Sequence, residues 1–454
     1  MKYLYLIVFT ALFAFLLPAA LFSQEGFGFG DSDLGFSDAP SSSGSASNLS
    51  VKISGEVKTE LRFFINDFES TEDINKIEPG NIFSGSLNFE ASNSLAQGII
   101  KLNLIPVFDG KSSPVEIDEA YMRAFFGPVT IEGGIRKVTW GKADSFGPLD
   151  VINPLDYSDL SLFSDPQSVK IARPMLRAIW SLGSFSRLEG VFVPWFQGHK
   201  FSSTGRWAPS QINVLNTYGF SIDSILPQTN TFEYAQAGLR LTTSIGSSDV
   251  GFQYYSGIHP RPAVDVTLNI ISLNPFFYNV NVNGNYNRYY QFAVDFARVV
   301  AGFNIRVEAG VNITDDFDGT NKSIENPAFI WSLGFDRDLF LGININLQGT
   351  GKVRFFHDKI GSDITQDCEG GTDATSTRIT GIISRKFLRD ELEVKLTNLW
   401  GIEDKDFYII PSVAWSRNDV KAELSMGFFG GDKSGELGQY RDNNFIRMML
   451  SYSF

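Results

Sequence analysis

FNIRVEAGVNI, residues 303–313, decides the fold. Phe303, Ile305, Val307, Ala309, Val311 and Ile313 are apolar, while Asn304, Arg306, Glu308, Gly310 and Asn312 alternate with them. A period of two places one set on each face of an extended strand, one apolar and one polar or charged. The pattern recurs: Leu341, Ile343, Ile345 and Leu347 alternate with Gly342, Asn344, Asn346 and Gln348, and Val420, Ala422, Leu424, Met426 and Phe428 with Lys421, Glu423, Ser425 and Gly427.

A soluble sandwich alternates too, so length and rhythm must separate the cases. Globular strands average five or six residues. Here runs of about ten or more are routine, close to the 9–11 residues that carry a tilted strand across a bilayer. Strands are expected over 51–66, 81–93, 96–109, 115–126, 129–140, 169–182, 186–196, 232–244, 249–258, 287–299, 303–313, 327–337, 340–355, 376–388, 391–401, 406–417, 419–429 and 442–454. Short links such as Asn93-Ser94-Leu95, Gly127-Pro128 and Arg417-Asn418-Asp419 alternate with long polar ones near 67–80, 141–168, 197–231, 259–286, 314–326, 356–376 and 430–441. The expectation is an all-β, closed antiparallel transmembrane barrel of about 18 strands, with 16 the alternative. Closure pairs every backbone group inside lipid and leaves no free edge. At this size side chains cannot fill the interior, so a lumen follows unless loops plug it.

The two ends agree. MKYLYLIVFTALFAFLLPAALFSQ carries one Lys before an apolar run that stops at Pro18, which predicts a secretory leader over 1–23 cleaved near Ser23. No Cys lies near that point, so no lipid anchor is expected, and the single Cys368 can form no internal disulfide. Residues 24–50, rich in Gly, Ser and Asp, read as a flexible tether, and 51–454 as the barrel. FIRMMLSYSF, residues 445–454, alternates to its last residue. It resembles the closing strand of bacterial outer-membrane barrels, whose terminal aromatic is read by the barrel-assembly machinery; the resemblance implies that Phe454, Tyr452 and Leu450 form that signal. Outer-membrane lipids and small solutes are the other expected partners. A net charge of −13 argues against nucleic acid. Monomer and oligomer are both open.

With the N-terminus inside, residues 141–168 form the third external loop. It holds Asp144, Asp150, Asp156, Asp159 and Asp165 against one Lys142, stiffened by Pro148 and Asn153-Pro154. On the neighbouring strands Ala120, Met122, Ala124, Phe126, Val129, Ile131, Ile135, Ala172, Leu176, Ala178 and Trp180 are assigned to lipid. Glu119, Tyr121, Arg123, Glu132, Arg136, Arg173, Met175 and Arg177 then face inward, because a charge at the lipid midplane costs about 2–4 kcal/mol. The pore-lining expectation rests on Tyr121, Arg123, Glu132, Arg136, Arg173 and Arg177, and the constriction expectation on Asp144, Asp150, Asp156 and Asp159. An acidic loop opposite a basic wall would set a transverse field across the pore. The plain alternative is an ordinary surface loop above a solvated lumen.

Trp140-Gly141, then Asp150-Val151-Ile152-Asn153-Pro154-Leu155-Asp156, with a later Arg173-Pro174, resembles a family of Gram-negative outer-membrane barrels of unassigned function. Their approach to the Trp is usually Gly-Arg-Gln, where this chain has Gly134-Ile135-Arg136-Lys137. The resemblance implies a barrel and transfers no catalytic residue. In general porins, similarly, the third loop folds into the barrel.

Other candidates carry less. Asp315-Asp316-Phe317-Asp318-Gly319-Thr320-Asn321 has the composition of a calcium loop without its spacing, and is read as an external loop. His199, His259 and His357 fall in separate loops and are read as surface residues. Trp195, Tyr254, Tyr255, Tyr289, Tyr290, Trp331, Trp400 and Trp415 near strand ends fit interfacial girdles, with a carbohydrate-stacking track as the alternative. No nucleophile, metal or phosphate-loop motif has supporting context, so no metal or cofactor is expected. The function expected is a channel for passive diffusion of small polar or charged solutes and not an enzyme. Alternatives are an adhesin or receptor barrel and, behind it, an outer-membrane hydrolase.

Overall fold

Strong period-two alternation carries over into strands almost one for one. The computed structural model describes residues 49–67, 83–105, 115–273, 276–364 and 366–454. The expected leader, nearly all of the tether and most of the first outer loop lie outside the described residues. The strands are β1 (Ser50–Phe64), β2 (Ser84–Ser92), β3 (Ala96–Leu104), β4 (Val115–Phe126), β5 (Val129–Arg136), β6 (Arg173–Leu182), β7 (Ser186–Val193), β8 (Gln236–Ile245), β9 (Ser248–Ile258), β10 (Ala263–Leu273), β11 (Phe276–Asn285), β12 (Arg288–Val300), β13 (Phe303–Thr314), β14 (Ala328–Asp338), β15 (Ile343–Arg354), β16 (Thr375–Phe387), β17 (Leu392–Gly401), β18 (Asp406–Arg417), β19 (Val420–Gly431) and β20 (Phe445–Ser453).

Eighteen of them form one antiparallel sheet, with each strand hydrogen-bonded to its neighbours in sequence. β9 pairs with β12, skipping a separate β10–β11 hairpin. β1 pairs with both β2 and β20, so the sheet closes on itself. At the seam Gly55 and Phe454 exchange both backbone hydrogen bonds, each 2.9 Å. A Cβ on Gly55 would lie 2.6 Å from the Phe454 ring and 2.7 Å from the Ser86 carbonyl, so only glycine fits beneath the terminal aromatic there.

Three sequence expectations change. The stretch 259–286, read as a loop, holds the β10–β11 hairpin; its own alternation (Val264, Val266 and Leu268 against Asp265, Thr267 and Asn269) carried that signal. β5 ends at Arg136 rather than Trp140, and β6 begins at Arg173 rather than Val169. The backbone leaves the ladder there because side chains take its polar groups: Glu119 accepts from Lys137 N–H (2.8 Å), and Asn153 accepts from Val138 N–H (2.7 Å) while donating to the Arg136 carbonyl (3.0 Å).

The two faces separate sharply. Met122, Leu176 and Leu333 are 62%, 59% and 52% exposed on the outside, whereas Glu308 and Gln348 are 1% exposed inside. This is the polarity of a barrel meant for hydrocarbon, inverted relative to a soluble core. Leu333 sits mid-strand in β14. Leu333→Arg should therefore cost about 2–4 kcal/mol of stability in lipid, read by guanidinium unfolding from vesicles. An unchanged midpoint would mean this face does not meet hydrocarbon.

Candidate functional site: the inserted third loop and its wall

The third loop runs through the barrel interior, and single residues account for its course. Trp140, expected at the outer end of a lipid-facing strand, is instead 2% exposed inside the barrel. Its Nε1–H donates to Glu189 (2.7 Å) and its ring edge meets Tyr255 at 6.1 Å. Gly141 then turns with φ +94°, a value that disfavours side chains, and a Cβ there would collide with the Glu308 carboxylate. The chain next caps two inward side chains on the far wall. Glu308 Oε1 accepts from the Lys142 and Ala143 N–H groups, and Gln348 Oε1 from Asp144 and Ser145 (2.8 and 3.1 Å). Returning, the carbonyls of Pro148 and Leu149 accept from Gln291 and Gln253 (3.2 and 3.0 Å).

Asn153 fixes both ends of the excursion. Besides its two bonds to the outgoing chain, its Nδ2 donates to the carbonyl of Ile171 on the returning chain (2.9 Å). The Pro154 carbonyl accepts from Ile171 N–H (2.8 Å). The N-P of the motif is thus a staple across the loop's neck. Beside it, Asp150 pairs with Lys170 (2.6 Å), and burial pushes its carboxyl above the usual range against the pull of that lysine. His199 supports the loop from outside: burial, with Arg261 adding, pushes its imidazole down to about 3. It is therefore neutral at ordinary pH, and its Nδ1 accepts from Leu155 N–H (2.8 Å).

The loop's acids and the wall's arginines do not pair with each other. Glu132 takes Arg123 (2.7 Å), Arg136 and Arg177 (3.0 Å) at once, and Glu189 takes Arg177 and Arg187 (both 2.8 Å). Arg136 also lies 4.5 Å over the Tyr121 ring. The aspartates reach elsewhere: Asp144 to Arg306 of β13 and Asn346 of β15, Asp156 to Lys200 (2.9 Å), and Asp159 to Arg62 of β1 (2.5 Å). Arg173 alone of the four wall arginines has no carboxylate partner among the described residues; it donates to the carbonyls of Ile152 and Trp195. The expected wall and loop residues thus lie on the inner side, but their ion pairs form two separate systems.

The residues that hold the loop (Gln253, Gln291, Glu308 and Gln348) were not singled out from sequence. Their inward position was legible in the alternation, but nothing local marks a wall glutamine as a loop cap. Apolar residues were misplaced too. Tyr255 and Tyr289, expected in a girdle, are 0% and 4% exposed and pack with Trp140, Ile152 and Met175 inside. Adjacent strand residues point to opposite faces, so Tyr254 and Tyr255 cannot share one belt. Tyr254, Trp195, Trp400 and Trp415 do lie exposed outside. His199, His259 and His357 are half-buried rather than surface residues. In the 315–321 loop the Asp316 carboxylate accepts from Thr320 and Asn321 N–H (3.1 and 2.9 Å).

Asn153→Ala removes three backbone partners at once. Unsatisfied buried groups cost about 1–3 kcal/mol each, so the loop should detach while the barrel stays closed. Limited proteolysis should then cut within 137–172 under conditions where the parent chain resists, with far-UV circular dichroism unchanged. Equal resistance would show that the staple does not hold the loop.

No family model and no curated protein matches this sequence. Solved structures do match in fold. Acinetobacter baumannii OccAB4 is 7% identical, covering 89% of this chain and 97% of that one at a TM-score of 0.50. Pseudomonas aeruginosa OccK3 (OpdO) is 8% identical over 89% and 95% at 0.49. Escherichia coli Wzi, an outer-membrane protein involved in group 1 capsule assembly, is 12% identical over 88% and 84% at 0.47. The closed eighteen-stranded antiparallel sheet with its apolar outer face is by its own geometry a transmembrane-type β-barrel, and the likeness to OccAB4 is one of fold alone.

Proposed function

We propose that the protein is an outer-membrane channel for passive diffusion of small polar or charged solutes, with 141–168 narrowing its lumen. The observation that carries this reading is the inward wall itself. Tyr121, Arg123, Glu132, Arg136, Arg173 and Arg177 lie on three consecutive strands, and ion pairs continue round to Arg240–Asp295 (2.7 Å). A barrel interior that needed only filling would be served by apolar side chains. A wall this rich in hydrogen-bonding groups suits a wet path that replaces part of a solute's hydration.

The pairing pattern refines the selectivity expected of such a path. Glu132 and Glu189 give Arg123, Arg136, Arg177 and Arg187 a carboxylate partner each, shared so that the cluster keeps a net positive charge spread over paired groups. Asp144 shares Arg306 with Asp336, and Asp159 pairs with Arg62. Arg173 has no carboxylate partner among the described residues, so it rather than Arg136 should dominate anion preference. Residues Leu450, Tyr452 and Phe454 all lie exposed on the outer face, which supports a role as the strand read by the barrel-assembly machinery and facing outer-membrane lipid.

Purified protein in a planar bilayer should give discrete conductance steps. Under a salt gradient, Arg173→Gln should move the reversal potential towards cation preference more than Arg136→Gln does. A folded but silent barrel would remove the channel reading in favour of a surface receptor or adhesin. Equal shifts from the two variants would keep the pore and remove the assignment to Arg173.

A further inference from the structure

Between the stapled loop and the wall of β6, β8, β9 and β12 lies a cavity of about 250 Å³. The loop supplies Pro148 and Asp150 to Leu155, and the wall side supplies Arg173, Gln236, His199, His259 and Tyr289. Three of these side chains keep hydrogen-bonding capacity that no described residue uses.

Arg173 is 3% exposed and carries five N–H donors, of which two reach the Ile152 and Trp195 carbonyls. Phe196 lies 5.5 Å beneath the guanidinium and offers no counter-charge. A buried guanidinium without a carboxylate is costly, and every other inward arginine of β4–β6 has one. Gln236 is 2% exposed, and its Oε1 accepts from Ile258 N–H (3.2 Å) and Tyr255 O–H (3.1 Å). A backbone N–H can only donate, so the amide orientation is fixed and the NH₂ is the group left over. That Nε2 is buried with no partner among the described residues. His259 stacks on Tyr289 (4.4 Å between centroids, 28°), and its Nε2 is likewise buried without a partner among the described residues. Burial keeps its imidazole pKa low, so the ring adds no second positive charge.

We infer that this cavity is a binding site for a small organic monocarboxylate, with Arg173 meeting the negative charge and Gln236 Nε2 and His259 Nε2 supplying the remaining hydrogen bonds. Ile152, Ile258 and Tyr289 line it with apolar surface suited to a few carbons. Asp150 also lines it, with its charge held by Lys170. That carboxylate disfavours a second acid group at the far end, which is why a monocarboxylate fits and a dianion does not.

The site is tested by calorimetric titration of the full barrel in detergent with butyrate, against butyramide as the uncharged isostere and chloride as a bare anion. Saturable binding of butyrate is expected, at least tenfold tighter than that of butyramide or chloride. Gln236→Glu retains the acceptor that Tyr255 and Ile258 require but puts a carboxylate where the ligand's would sit. It should weaken butyrate at least tenfold while heat-modifiable gel mobility reports a folded barrel. Arg173→Gln should do the same; if it does not fold, the Gln236 variant decides alone. Absence of saturable butyrate binding, equal affinity for butyramide or chloride, or an unaffected Q236E variant would overturn the proposal. Because binding is read without a membrane, a barrel that conducts but does not bind loses only this site, and one that binds but is silent loses only the channel.

Discussion

The rest of the molecule depends on the pairing of its first and last strands. In hydrocarbon no water is present to satisfy a backbone N–H or C=O, so the sheet has to close. β1 meets β20 across the registers Glu56↔Ser453 to Phe64↔Phe445, and the terminal residue itself pairs with Gly55. Once closed, every strand has an inside and an outside, and a one-residue slip in any of them would exchange the two faces. The polar ladder within and the exposed leucines, valines and phenylalanines without follow from that single demand.

The interior obeys a second rule: charge taken from water must be matched. Glu132 faces Arg123 directly across the β4–β5 ladder and Arg177 across β5–β6, so the sheet register itself delivers the ion pairs. Buried pairs of this sort add little net stability, but losing one partner is expensive. They therefore act as constraints on register more than as glue. The inserted loop meets the same rule by other means, since its backbone N–H groups find Glu308 and Gln348 and its carbonyls find Gln253 and Gln291. An acidic segment can thus lie inside the barrel with its charges settled locally.

Strand existence and facing were legible in the sequence because period-two alternation is a local property, and all eighteen barrel strands lie where it put them. Boundaries failed where tertiary contacts override the pattern: β5 stops four residues short of Trp140 because Asn153 and Glu119 capture its backbone. The wall arginines were legible as inward from parity and the cost of charge in lipid. Their partners were not, since cross-strand register and the path of a loop are not written in any single segment. Tyr255 and Tyr289 looked like membrane anchors for a related reason. Composition identifies an aromatic near a strand end, while only parity and loop insertion say which side it takes.

The far end of the third loop touches both strands of the seam. Asp159 pairs with Arg62 on β1, and the Ser161 carbonyl accepts from Arg447 on β20 (3.4 Å) and from Tyr408 on β18 (3.5 Å). The two strands that must find each other across almost the whole chain are therefore bridged by a segment from its first half. Contacts so distant in sequence form slowly, because their loop-closure entropy is met before they return any stabilisation. A loop that holds Arg62 and Arg447 together acts as an internal template for that meeting. It would shorten the effective search and bias the barrel towards zipping shut in the right register.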